Sequence, residues 1–273
     1  MYQENLERNQ LDALIILIND IYGYDFSGYS HASLQRRFDK FYKSVNVPYP
    51  QFREKLSSSP EFFNRFLRAI TVNVTEMFRD PYFFRELALS ILPRISSYPI
   101  IKIWHAGCAT GEEAYSMAIL LEEAGLLERS RIYATDLNPM NLEKAEKGIV
   151  PLQQMQAFTQ NYLASGGRND FSDYYTARYD NAIIKYELRK HITFSQHNLV
   201  TDQVFNEFQL ICCRNVLIYF NRELQNRVIK LFYDSLAPLG YLALGSKESL
   251  LFTDTRDKFE VKSQTNKIFR RKT

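Results

Sequence analysis

From residue 1 to about 75 the apolar positions return every three or four residues: Leu11, Leu14, Ile15, Ile18 and Ile21 form one stripe, and Leu34, Phe38, Phe41 and Tyr42 another. That spacing predicts amphipathic helices packed into a small all-helical domain. Within Ser33-Leu-Gln-Arg-Arg-Phe-Asp-Lys-Phe-Tyr-Lys43, the residues Arg36, Arg37, Lys40 and Lys43 gather opposite the apolar side. Such a face is either a solvated helix surface or a grip for an acidic partner, and the pattern leaves both open.

After Ser96-Ser-Tyr-Pro99 the period changes, and short apolar runs alternate with helical stretches, the signature of a parallel sheet covered on both faces. Strands are expected at Ile100 to His105, Arg131 to Asp136, His191 to Ser195, Phe208 to Cys213 and Tyr241 to Gly245. Phe259-Glu-Val-Lys262 and Lys267-Ile-Phe-Arg270 would add an antiparallel pair at the sheet edge. Between Gly148 and Lys190 the alternation fails: a helical piece, Leu152 to Tyr162, leads into Ser165-Gly-Gly167 and a tyrosine-rich stretch with Tyr174, Tyr175, Tyr179 and Tyr186. This reads as an inserted lobe of short strands whose exposed edge could take an extended peptide. The expected division is a helical domain over 1–75, a linker and connecting helix over 76–99, and an α/β domain over 100–273 with the insertion at about 150–190.

Composition narrows the class. The chain has 273 residues, 45% of them hydrophobic, without the long uncharged apolar run a membrane span needs. Met1-Tyr-Gln-Glu-Asn-Leu-Glu-Arg8 lacks the basic start and apolar middle of a secretion signal, so a cytoplasmic protein is expected. Cys108, Cys212 and Cys213 read as small buried residues in a reducing compartment, and no metal ion is expected. A net charge of +3 is too small to argue for nucleic acid.

The chemistry concentrates at Ala106-Gly-Cys-Ala-Thr-Gly-Glu-Glu113, which follows the apolar run Ile100-Ile-Lys-Ile-Trp104 and precedes a helical stretch from Ala114 to Ala124. A glycine turn between strand and helix suits a nucleotide-like ligand, because glycine admits a close approach and the helix start offers N–H groups. The G-x-x-x-G spacing matches neither the dinucleotide nor the phosphate-loop fingerprint, and two glutamates stand where a phosphate would need positive charge. Asp136 ends the next strand, where an acid can take ribose hydroxyls; alone it reads equally well as a helix cap. Together these features favour S-adenosylmethionine, a cation carrying adenosine but no phosphate.

Five segments in order complete the pattern: Asn73-Val-Thr-Glu-Met-Phe-Arg79, Ala106-Gly-Cys-Ala-Thr-Gly-Glu-Glu-Ala-Tyr-Ser116, Ala134-Thr-Asp136, Asn198-Leu199 and Cys213-Arg-Asn-Val-Leu-Ile-Tyr-Phe220. On these the chain resembles, over essentially its whole length, the chemotaxis receptor methyltransferases of the CheR type. The resemblance implies a Rossmann-like class I methyltransferase domain with a small inserted β-lobe, preceded by a small all-helical domain. It implies methyl transfer from S-adenosylmethionine to glutamate carboxylates of a receptor or other signalling protein, giving methyl esters and S-adenosylhomocysteine. Asn73, Thr75, Arg79, Ala106, Gly107, Glu113, Asp136, Asn198, Leu199, Arg214 and Asn215 would bind the cofactor, while Arg79 and Tyr219 face the methyl group and the acceptor. On that assignment Glu113 pairs with the cofactor's amino group, Asp136 with the ribose, and Asn198-Leu199 with the adenine. Taken singly, Asn198 and Asn215 read as turn or cap residues. The chain departs from the commoner family pattern at Thr71-Val72-Asn73 and Met77-Phe78, and its inserted lobe matches the family's tethering lobes less well.

A glutamate side chain, with an ordinary pKa near ~4.3, is already an anion at neutral pH and needs no general base. Placement in line with the methyl group can supply on the order of 7–11 kcal/mol. His105 and His197 adjoin the motifs but read as structural. Arg79 would orient acceptor or cofactor, and Tyr219 would donate a hydrogen bond or wall the methyl in. A sensor or adaptor that binds S-adenosylmethionine without turnover is the alternative; methylation of RNA or a small molecule fits the sequence less well.

Overall fold

The computed structural model describes residues 5–71 and 75–273. Helices α1 (Arg8–Tyr22), α2 (His31–Val45), α3 (Tyr49–Ser58) and α4 (Pro60–Ile70) form a bundle with its own core. Leu11, Leu14 and Ile18 are fully shielded, whereas Ile21, placed on the same stripe by its spacing, lies 45% exposed at the end of α1. Phe41 meets the rings of Phe62 and Phe66 edge-on at 5.5 Å each, so aromatic contacts fix how α2 and α4 cross. Ser59 caps α4 by accepting from the Phe62 N–H at 3.2 Å, and Pro60 takes the first helical position.

A bent helical segment follows: α5 (Pro81–Glu86), a π-type turn (Leu87–Ile91) and α6 (Leu92–Ile95). Pro93 sits just beyond the wide turn, and its missing N–H accounts for the widening.

The remaining chain runs β1 (Ile101–Ala106), α7 (Glu112–Glu123), β2 (Ser130–Asp136), α8 (Pro139–Lys147), β3 (Ile149–Pro151), α9 (Met155–Ala164), β4 (Tyr175–Arg178), β5 (Asn181–Ile184), α10 (Tyr186–Arg189), β6 (Ile192–Gln196), β7 (Phe208–Cys213), α11 (Arg222–Ser235), β8 (Leu236–Leu244), β9 (Phe259–Ser263) and β10 (Ile268–Arg271). Seven strands form one sheet in the order β6-β2-β1-β7-β8-β10-β9, the first five parallel and the last two antiparallel. Strand order reverses between β1 and β7, and at such a switch point the carboxyl ends of the strands open a crevice. All six residues of β7 are buried, as a strand covered on both faces requires.

β8 begins five residues before the expected Tyr241. Proline and glycine disfavour a strand interior, yet the strand carries Pro238 and Gly240 in a bulge: Leu236 pairs with Phe208, pairing resumes with Tyr241 opposite Leu210, and Leu239 turns to φ 65°. The insertion holds the three-stranded sheet β3-β5-β4. It is bound to α7 through Glu123, which accepts from the hydroxyls of Tyr162 and Tyr174. No helix among the described residues is long and apolar enough to cross a membrane.

Candidate functional site

The carboxyl ends of β1, β2, β6 and β7 and one side of the helical bundle enclose a single cleft. Thr75, Arg79, Ala106, Gly107, Glu113, Asp136, Asn198, Leu199, Arg214, Asn215 and Tyr219 all line it. Asn73, expected beside them, lies outside the described residues.

Gly107 turns at φ 78°, and a Cβ there would come within 2.5 Å of Val216 Cγ2. Gly111 caps α7 at φ 92°, with room for a Cβ denied by Ala145 at 3.0 Å and the Phe194 ring at 3.1 Å. Both positions therefore require glycine by dihedral and by space. The space is filled by protein: the loop after β7 lays Val216 on the turn. Several N–H groups of the turn are likewise committed to protein acceptors. Gly107 and Cys108 both donate to the Thr135 carbonyl at 2.8 Å, and Ala109 donates to Asp136 Oδ2 at 2.8 Å. The reason is the parallel pairing of β1 with β2, which sets the tip of β2 directly beneath the turn. α7 begins at Glu112, two residues earlier than expected, so Glu112 and Glu113 form its first turn. Two acids at the helix start, with Gly107, Cys108 and Ala109 already donating within the protein, disfavour a phosphate and suit a cation.

Asp136 Oδ1 accepts from Asn138 N at 2.9 Å and Asn141 Nδ2 at 3.2 Å, and Asn138, not Asp136, caps α8. Burial pushes the Asp136 carboxyl above its ordinary value against these bonds. With three protein donors on roughly four lone-pair positions, Oδ2 keeps capacity for a further hydroxyl.

Glu113 is held more tightly than its assigned role suggests. Its oxygens accept from Arg214 Nη1 at 2.8 Å and face His105 Nδ1 at 3.0 Å, with 17% of the side chain exposed. Burial alone would raise the carboxyl, but the guanidinium and His105 outweigh it and hold it at about 2. Arg214 Nη2 meets Asp80 at 2.5 Å, and its guanidinium carbon stacks 4.0 Å from the Phe83 ring. Arg214 thus ties together α7, the Arg79-Asp80 turn and the end of β7. That turn is held in an unusual shape, with Phe78 and Asp80 both at positive φ on either side of Arg79. Asn198 Oδ1 closes a turn by accepting from Val200 N at 3.0 Å, and Asn215 stands at φ 62°. His105, Glu113 and Cys212 are the one set of three potential metal ligands among the described residues. Arg214 already supplies the positive charge there.

The bundle contributes residues that the one-dimensional pattern misplaced. Arg36, Lys40 and Lys43 stay on the exposed face, but Arg37 turns into the cleft, donates to the Ile70 carbonyl at 2.8 Å and lies 4.2 Å from the Tyr219 ring. Tyr29 lines the cleft as well. Both are brought there by a short antiparallel bridge: Ser30 N donates to the Tyr219 carbonyl at 2.8 Å, and Asn221 N to the Gly28 carbonyl at 2.9 Å. His105 and His197 are buried at the cleft floor, His197 packing edge-on against Trp104 at 5.2 Å.

Comparison with known proteins accords with this geometry. Residues 73–268 match the family described as CheR methyltransferase, SAM binding domain, and residues 9–71 match the CheR methyltransferase all-alpha domain. The chain is 47% identical to the putative methyltransferase Cher3 of Pseudomonas putida over 97% of this chain and 98% of that one. It is 32% identical to a chemotaxis protein methyltransferase of Listeria innocua, with 90% and 92% covered, and 36% identical to one of Vibrio parahaemolyticus, with 71% and 70% covered. The chain belongs to the CheR family of S-adenosylmethionine-dependent methyltransferases.

Proposed function

We propose that the protein methylates glutamate side chains of a chemoreceptor or related signalling protein, forming methyl esters. The observation that carries this reading is the meeting of Arg37, from the helical bundle, with Arg79 and Tyr219 in the cleft that holds the family's cofactor elements. Two guanidiniums and a phenol suit an anionic acceptor, and a carboxylate is the protein side chain that fits. Bound S-adenosylmethionine supplies a methyl group on a sulfonium. Asp136 would take its ribose through Oδ2, Leu199 would pack its adenine, and Glu113 would meet its amino group through the lone pairs that Arg214 and His105 leave.

The incoming carboxylate needs no base, which agrees with a cleft whose histidines are packed into its floor. Arg37 and Arg79 would fix one oxygen and leave the other to attack, while Tyr219 walls the reacting centre. The exposed Arg36, Lys40 and Lys43, beside Arg8, would face an acidic acceptor surface, and the edge strand β4 could receive a tethering peptide. The protein would work in the cytoplasm on the inner part of its acceptor.

Incubation with methyl-labelled S-adenosylmethionine and receptor cytoplasmic fragments tests this. Base-labile label on the acceptor is expected, and Arg79→Ala should abolish it. Cofactor binding without transfer to any acceptor would identify an adaptor instead.

A further inference from the structure

We infer that Glu248 is a positioning residue for the cofactor and acceptor site, acting as the internal anion around which the loop Arg214–Phe220 is folded. The inference rests on the reading that Asn215 and Tyr219 of that loop serve the bound cofactor and acceptor. Glu248 is 4% exposed and does not line the cleft. Its carboxylate receives four backbone N–H groups: Oε2 accepts from Gly245 at 2.5 Å and Asn215 at 3.1 Å, and Oε1 from Val216 at 2.9 Å and Ile218 at 3.3 Å.

Four donors match the four acceptor positions of an ionised carboxylate, and no neutral side chain of that length offers as many. The loop is shaped for this. Asn215 lies in the left-handed region and Val216 in the right-handed helical region, and a pair of that kind points successive N–H groups into one concavity that takes an anion. Gly245 completes the fit, because a Cβ there would stand 2.8 Å from both Asn215 N and Glu248 Oε2.

The consequence lies on the opposite side of the same loop. With its N–H groups drawn inward to Glu248, the loop presses Val216 onto Gly107 and presents Asn215 and Tyr219 to the cleft. Glu248 therefore sets the gap between the loop after β7 and the glycine turn after β1, the two walls between which the cofactor must sit.

Glu248→Gln keeps the length but removes two acceptor positions and turns an NH₂ toward backbone donors. S-adenosylhomocysteine affinity measured by calorimetry on the intact protein is expected to fall about tenfold or more. Amide hydrogen exchange should quicken in residues 214–219 while strands β1 and β2 keep the wild-type rate. Glu248→Asp, which retains the charge one methylene short, should recover part of the affinity. If wild-type protein fails to bind S-adenosylhomocysteine, the functional reading itself is wrong. If wild type binds and Glu248→Gln binds within twofold of it with unchanged loop exchange, the positioning role is refuted. Faster exchange throughout the domain, or loss of folding in the variant, assigns Glu248 to general stability and overturns the proposal equally.

Discussion

Arg214→Met isolates the ion pair at the centre of the site. Methionine retains most of the aliphatic stem but removes the guanidinium that stacks on Phe83 and pairs with Glu113. The Arg214 side chain is 2% exposed and that of Glu113 17%, so the lost partner is not replaced by bulk water. Removing one member of a buried pair costs about 3–5 kcal/mol, most of it the stranding of the other charge. The Asp80 side chain, 46% exposed, adds less than about 1 kcal/mol. A loss of that size is a large part of the roughly 5–15 kcal/mol that holds a domain folded.

Urea unfolding across pH gives the test a second dimension. In wild type the Glu113 carboxyl sits at about 2 in the fold against an ordinary 4.5. Its contribution is therefore complete above pH 4.5 and is lost as pH falls toward 2, on the order of 3 kcal/mol at roughly 1.4 kcal/mol per pH unit. In the variant His105 alone opposes burial, so the same carboxyl is expected to lie higher than in wild type, and acidification neutralises it sooner and relieves part of the penalty. The gap between the two proteins should narrow as pH falls below 4.5. A destabilisation under about 1 kcal/mol at neutral pH, or a gap that stays constant on acidification, would refute the account of Arg214 as the charge that makes Glu113 tolerable.

Three further perturbations probe other parts of the cleft. Gly107→Ala places a Cβ 2.5 Å from Val216 at φ 78° and should cost about 2–4 kcal/mol in thermal or urea unfolding, with weaker S-adenosylhomocysteine binding; wild-type stability would mean the turn is not locked against that loop. Asp136→Ala removes the acceptor proposed for the ribose and should weaken S-adenosylhomocysteine by about tenfold to a hundredfold in calorimetry, with equal affinity excluding that contact. Arg37→Ala should lower methyl transfer at least about tenfold with cofactor affinity within a factor of about two, and parallel loss of both would move Arg37 from the acceptor to the cofactor.

How much of this was legible in the chain follows the range of each interaction. Parallel strands buried on both faces leave apolar runs, so β7 could be placed from Phe208 to Cys213 without error. Glycine turns leave a spacing, and the turn at Gly107 and Gly111 was evident. The reason for those glycines was not, because Val216 lies more than a hundred residues away and only the β1–β7 pairing brings it over the turn. Pro238 and Gly240 carried a local turn signal that β-sheet pairing overrode with a bulge at the start of β8. Glu113, read as a ligand for a cofactor amine, lies in a motif where nothing indicates that Arg214 and His105 converge on it.

Arg37 shows the limit most clearly. The run of charge groups it with Arg36, Lys40 and Lys43, yet at 3.6 residues per turn it stands about 100° round α2 from Arg36 and about 40° from the buried Phe41, on the border of the apolar face. What that border faces is set by contacts outside α2: the bridge of Tyr29 to Phe220 swings the start of the helix against the loop after β7, and the stacking of Arg37 on Tyr219 follows. The loop is in turn anchored from behind by the four N–H groups on Glu248, so one main-chain segment carries the helical bundle on one side and the buried carboxylate on the other. A bundle docked by its backbone to the very loop that bears Tyr219 cannot move as an independent module without opening the cleft. Arg37 and Tyr219 therefore meet across the two parts of the chain, and on the proposed function the acceptor side chain would enter beside the seam they share.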